Sequence, residues 1–408
     1  MTCRNTSQPD TAGRHHRVAR LEGLGESQIR EMMRLAMDVG AVNMAQGAPD
    51  FAAAPEVKLG AIRAIVEDRN QYTVTWGLRE VREAVAAMLG RRFGLCPDAD
   101  KEVTLTVGVT EAIVAAMLAT IEPGDEVVIV EPAHENYVPA VRFAGGIPCF
   151  VTLHPPAFAL KCQALQQAIT PKTKAIVVNT PQNPTGRVFT REELQAIAEV
   201  ALRHDLLIIT DEIYDHILYD GKEHIPPGTL PGMAERTITT GGISKIYAVT
   251  GWRLGYVVAP PEISAAIRTV HDYLVICAPA PFQHAALSAL ALPENYYHRV
   301  RAQYHQRRER IMSILAASGF AAQPPEGAYY ILADFSAWEY NGSAEEFSRF
   351  LITDIGVAVV PGTAFYYSNP MHGNRLVRFA FAKGEETFNE VETRLIAGFR
   401  KRKQGGLR

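Results

Sequence analysis

The stretch Ala175-Ile176-Val177-Val178-Asn179-Thr180-Pro181-Gln182-Asn183-Pro184-Thr185-Gly186 passes from an apolar run straight into a turn built on two prolines and a glycine. The run is short and mostly β-branched, with no polar alternation, so it reads as a strand buried on both faces. The same arrangement recurs along the chain. Runs at 206–210 and 237–240 lead into Asp211-Glu212-Ile213-Tyr214 and Gly241-Gly242-Ile243-Ser244-Lys245. Runs at 103–107 and 127–130 lead into Gly108-Val109-Thr110 and Glu131-Pro132-Ala133-His134, while a run at 254–258 follows Gly251-Trp252-Arg253. Longer amphipathic stretches separate these runs between about residues 80 and 270, which predicts an α/β layer fold. Polar groups gather just beyond strand ends, where open α/β sheets bind their ligands.

From about residue 295 the texture changes to a long charged helix over 296–318, followed by mixed strand and helix signals that end in a strand at 376–381. This predicts a large domain over 46–290 and a smaller α/β domain made of 18–45 and 291–400, with an N-terminal helix at 26–39. The polar residues 1–17 lack the apolar stretch of a secretory signal and are expected to be a solvated tail, as are the basic residues 401–408. At 408 residues, 47% of them hydrophobic, the chain is long enough to bury a large core. A formal net charge of -3 gives no basic footprint for nucleic acid, and no 18-residue apolar run suggests a bilayer span. The five cysteines are scattered and form no CxxC pair, so neither a disulfide framework nor a metal site is expected. They read as buried or idle thiols in a cytoplasmic protein.

The lysine, aspartate, asparagine, tyrosine and arginine that follow these strands form a set suited to pyridoxal 5′-phosphate (PLP). Such chemistry needs a lysine able to form an exchangeable imine and to move a proton, here Lys245. It needs a buried carboxylate, Asp211, to keep the pyridine nitrogen protonated. Asn183 and Tyr214 are neutral donors suited to the ring phenolate oxygen. Gly108-Val109-Thr110 at a helix start, with Arg253, suit a phosphate.

Asn-x-Pro-x-Asn-Pro-Thr-Gly, Asp-Glu-x-Tyr, Ser-Lys and Gly-Trp-Arg-x-Gly occur here in one order, followed by Arg378 in Leu376-Val377-Arg378-Phe379-Ala380. In these motifs, and over nearly the whole chain, the sequence resembles the class I/II aminotransferases of PLP fold type I. The resemblance implies a large domain with a mixed, mostly parallel sheet flanked by helices, plus a smaller α/β domain. It implies catalytic roles for Lys245, Asp211 and Tyr214. Cofactor contacts are implied for Val109, Thr110, His134, Asn183, Ser244 and Arg253. Tyr72 is expected to reach the phosphate of a second subunit in a homodimer. The substrate α-carboxylate is expected at Arg378, with Asn183 and the backbone near Gly47. The implied reaction moves the amino group of an α-amino acid to a 2-oxo acid.

Two positions depart from the pattern. His134 stands where relatives stack an aromatic ring on the cofactor, and Gly242 stands where a serine commonly meets the phosphate. Because imidazole can titrate as well as stack, a PLP lyase, cyclase or oxidase is the alternative reaction. No helix-turn-helix pattern is read ahead of the domain, so a transcription regulator is not expected. Tyr329, Tyr330, Phe365 and 276–278 are candidates for the substrate's distal end, and their aromatic bias favours an apolar or aromatic amino acid.

Overall fold

A computed structural model describes residues 19–21 and 24–406; the sequence reading of 1–17 lies outside the described residues. Seven strands form the principal sheet: β1 (Val103–Thr106), β2 (Glu126–Glu131), β3 (Ile147–Thr152), β4 (Thr173–Asn179), β5 (Leu207–Asp211), β6 (Thr237–Gly242) and β7 (Gly255–Val258). Their spatial order is β1-β7-β6-β5-β4-β2-β3, and only β7 runs antiparallel to its neighbours. Both faces are buried. Ile176 and Val178 of β4 enter one apolar cluster and Ala175 and Val177 enter another, the period-two division of a sheet covered on both sides.

Six of the seven strands match the sequence expectation within two residues at either end. β3 was not expected, and its position explains why. It is an edge strand, paired only with β2, whose run is interrupted by Pro148 and begins at the half-exposed Ile147. The helix expected at 111–119 spans Gly108–Thr120, because Gly108-Val109-Thr110 forms its first turn. The N-terminal helix is Gln28–Val39, one turn boundary later than read, because the Ser27 side chain accepts the Arg30 N–H as its cap. The long charged helix spans Glu294–Ala317.

A second sheet of four antiparallel strands has the order Val360–Pro361, Leu376–Ala380, Tyr330–Asp334, Ala321–Ala322. Beside it, Val42–Asn43 pairs in parallel with Val357–Ala358. The Met44 carbonyl then accepts the Ala380 N–H at 2.7 Å, so the chain entering 45–50 is tied to the strand that bears Arg378. Residues 401–403, read as a solvated end, are instead the last turn of the helix Glu385–Lys403. Arg402 there donates to the Trp338 carbonyl and Lys403 pairs with Glu339. Among the described residues no helix is long and apolar enough to cross a membrane.

Candidate active site

All the strand ends of interest lie on one edge of the principal sheet. β1, β2, β4, β5 and β6 run in one direction, so Thr106, Glu131, Asn179, Asp211 and Gly242 end together. β7 runs oppositely, and the Arg253 that precedes it therefore reaches the same edge. Register places Asn179 opposite Asp211. A cleft at this edge is lined by Val109, Thr110, His134, Asn136, Tyr137, Asp211, Tyr214, Ser244, Lys245 and Arg253, together with Ile113 and Ile213. Eight of the sequence-selected residues thus meet in one place.

Asp211 sits on the floor. Burial raises its carboxyl to about 6, against hydrogen bonds from the Tyr137 hydroxyl to Oδ2 (2.8 Å) and the Ile213 N–H to Oδ1 (3.2 Å) that favour the charge. Asn179 fixes the backbone around it, donating through Nδ2 to the Asp211 carbonyl at 2.8 Å and accepting the Asn183 N–H at 2.8 Å. Lys245 is half-buried, with Nζ 3.3 Å from the Gly47 carbonyl. The Tyr214 hydroxyl lies 3.0 Å from that of Tyr330.

His134 lines the cleft, and the ring is held in one tautomer. Its Nδ1 accepts the Asn136 N–H at 3.2 Å, which leaves the proton of the neutral ring on Nε2. Burial, with the charges of Arg378, Lys245 and Arg30, lowers the ring to about 3. The ring in the cleft is therefore a neutral imidazole with its one proton on Nε2.

Arg378 is 1% exposed, and no carboxylate lies within salt-bridge distance of it among the described residues. Nη1 donates to Asn183 Oδ1 at 2.9 Å and Nη2 to the Ala45 carbonyl at 2.6 Å, while Nε has no acceptor. The rings of Tyr330 and Phe365 flank its guanidinium at 4.5 and 4.9 Å. These two aromatics therefore grip the arginine, whereas the sequence suggested them for the substrate's distal end. Ile276 is half-exposed on the outer surface. Gly47 has no room for a side chain, because a Cβ there would run into the Tyr330 hydroxyl.

Tyr72 does not join the cleft of its own chain, being 77% exposed. Cys96 and Cys162 are exposed free thiols rather than buried ones. Sequence reasoning missed Tyr137 and Asn136. The usable signal was an aromatic residue three positions beyond His134 in a segment that follows a buried strand.

A mixed, mostly parallel sheet with a lysine, a buried aspartate and an anion-ready helix start at one edge defines a PLP enzyme of fold type I. The comparisons agree. The sequence profile of "Aminotransferase class I and II" matches residues 39–393. A probable N-succinyldiaminopimelate aminotransferase of Mycobacterium tuberculosis is 40% identical over 389 residues, covering 93% of this chain and 97% of that protein. The methionine aminotransferase of Escherichia coli is 33% identical over 377 residues, covering 92% and 97%. The solved structure of the Mycobacterium tuberculosis N-succinyldiaminopimelate aminotransferase superposes with a TM-score of 0.91 at 39% identity, covering 93% of this chain and 99% of that one. The chain belongs to the class I and II aminotransferases. It is an enzyme that moves the amino group of an α-amino acid to a 2-oxo acid with PLP as cofactor.

The cleft fits that cofactor. Gly108, at φ +73°, packs so close to Arg253 that a Cβ would lie 2.5 Å from Nη2, leaving a bare cradle beside a cation at the start of the helix Gly108–Thr120. The buried Asp211 at the other end matches a protonated ring nitrogen.

Proposed function

We propose that Lys245 bears the cofactor as an imine and carries the proton that leaves and returns to the substrate α-carbon, in a ping-pong exchange between amino acid and 2-oxo acid. Bound PLP supplies the carbonyl that takes the amino group and a ring that accepts the electron pair of the broken Cα–H bond. Asp211 would hold the ring nitrogen of bound PLP, and its charge would keep that nitrogen protonated. Asn183 gives its Oδ1 to Arg378, so its Nδ2 is the end free to donate to the ring oxygen, beside the Tyr214 hydroxyl. Val109, Thr110, Ser244 and Arg253 would bind the phosphate, and His134 would pack against the ring.

Arg378 binds the substrate α-carboxylate, aided by Asn183 and the backbone at Gly47. The observation that carries this reading is a fully buried guanidinium with an unmatched Nε–H and no carboxylate partner among the described residues. A buried charge of that kind calls for a counter-ion, and an α-carboxylate supplies one in bidentate form.

The active unit is a homodimer in which Tyr72 reaches the partner's phosphate site. In support, Tyr72 is exposed, as are Leu59, Ile62 and Val66 on the helix Pro55–Val66 and Tyr273 and Ile276 at the end of Pro261–Val275, and Thr75 donates to Asp272 of that last helix at 3.1 Å. The division into 46–290 and 18–45 with 291–400 is supported by the pairing of Val42–Asn43 with Val357–Ala358. Free thiols at Cys96, Cys149, Cys162 and Cys277 favour the cytoplasm.

Arg378→Lys tests the substrate class. It keeps the charge and loses the fork, so kcat/KM for an α-amino acid should fall by roughly 2–5 kcal/mol in transition-state binding. For an amine without the carboxylate the same substitution should change little. Equal losses for both substrates would make Arg378 structural.

A further inference from the structure

We propose that Tyr137 is a positioning residue of the transfer reaction: its hydroxyl holds the Asp211 carboxylate in place and keeps it an acceptor for the cofactor's ring nitrogen. The inference rests on the reading of Asp211 given above.

The geometry is specific. Tyr137 opens the helix Tyr137–Phe143 after β2 and is 2% exposed. In the sheet, β2 and β5 are separated by β4, so the phenol spans a strand to reach Asp211 Oδ2 at 2.8 Å. Among the described residues that hydroxyl bonds to Asp211 Oδ2 alone, and the Ile213 N–H holds the other carboxylate oxygen. The carboxylate is thus fastened at both oxygens by neutral donors. A cation at Oδ2 would compensate the charge that the ring nitrogen requires, whereas a hydroxyl orients it and leaves it in place.

The charges around the group give the sign of the effect. Lys245, from the segment after β6, favours ionised Asp211; Glu212 beside it and burial oppose ionisation. Tyr214 also feels the Asp211 charge, and its own hydroxyl is turned to Tyr330. Tyr137 and Ile213 N–H supply the hydrogen bonds that favour the ion, so losing the phenol moves Asp211 towards its protonated form. A protonated carboxyl group cannot balance a charged ring nitrogen. Tyr137→Phe removes one oxygen and keeps the ring that fills the site.

The test begins with the cofactor-free protein. The carboxyl titration of Asp211, read as the ¹³C shift or infrared band absent from Asp211→Asn, should have a midpoint near 6 and move upward in Tyr137→Phe. At pH 7.5 the dissociation constant for added PLP should rise roughly ten- to a hundredfold, the range for one hydrogen bond to a charged group. In the loaded enzyme, kcat should fall while KM for the amino acid stays within about twofold. Fluorotyrosine at 137 keeps the shape and strengthens the donor, so it should lower the Asp211 midpoint; this decides the matter even if Tyr137→Phe fails to fold. An unchanged Asp211 midpoint in the folded variants would overturn the proposal and leave Tyr137 a packing residue. If Asp211→Asn itself binds PLP and turns over normally, the reading of Asp211 fails, which is a distinct outcome.

Discussion

The Lys245 side of the site and the Arg378 side, the proposed cofactor and carboxylate ends, are built in opposite ways. At the cofactor end, Asp211, Lys245 and the 108–110 turn each lie within a few residues of the end of their own strand. At the carboxylate end, Arg378 is held by Asn183 and Ala45, which lie 195 and 333 residues away in sequence, and Gly47 is pressed against Tyr330. One end is therefore a set of local motifs on a rigid sheet. The other is a seam between distant segments, whose geometry depends on how 43–50 threads past the strands Tyr330–Asp334 and Leu376–Ala380. Damage to the first should appear in the chemistry, and damage to the second in substrate binding.

Asp211→Asn probes the first end and should have the larger effect. Turnover should drop by several powers of ten, because the neutral amide cannot keep the ring nitrogen protonated. KM for the amino acid should move much less. The same variant carries a signature in the cofactor-free protein. Asp211 is raised from 3.8 to about 6, so its folded form prefers the proton. The stability it contributes is fully present below pH 3.8 and is lost as pH rises through about 6. Between those limits wild type should lose roughly 3 kcal/mol that Asp211→Asn does not. Parallel denaturation curves for the two proteins at pH 4 and pH 7 would remove the buried carboxylate from the account.

Gly47→Ala probes the seam and should do less. The added methyl meets the Tyr330 hydroxyl, and overpacking of this kind costs roughly 1–3 kcal/mol. Because Tyr330 flanks Arg378 and contacts Tyr214, the loss should appear mainly as a raised KM, measured with a single donor at saturating acceptor. A fall in kcat with unchanged KM would mean that the seam and the cofactor end are not separable.

The same contrast explains what was legible in the sequence. Six strands of the principal sheet were readable because each is a short, largely β-branched run that is buried, and β3 was not because Pro148 interrupts a run that is mostly only partly buried. Asp211, Lys245 and 108–110 could be singled out because each lies at or just beyond the end of its strand. Tyr137 could not, since its partner Asp211 is 74 residues away and a strand lies between them. Tyr330 and Phe365 were read as aromatic lining, whereas packing turns them onto the Arg378 guanidinium; no local pattern carries that information. Tyr72 was singled out for a neighbouring subunit, and its 77% exposure leaves it free for one.

Lys245 is the residue on which the account turns, and borohydride trapping tests it most directly. Reduction of the PLP-loaded enzyme should fix the cofactor to one peptide containing Gly241-Gly242-Ile243-Ser244-Lys245, and Lys245→Ala should stay folded, form no adduct and show no turnover. A cofactor adduct mapped to any other lysine, or turnover persisting in Lys245→Ala, would contradict the assignment.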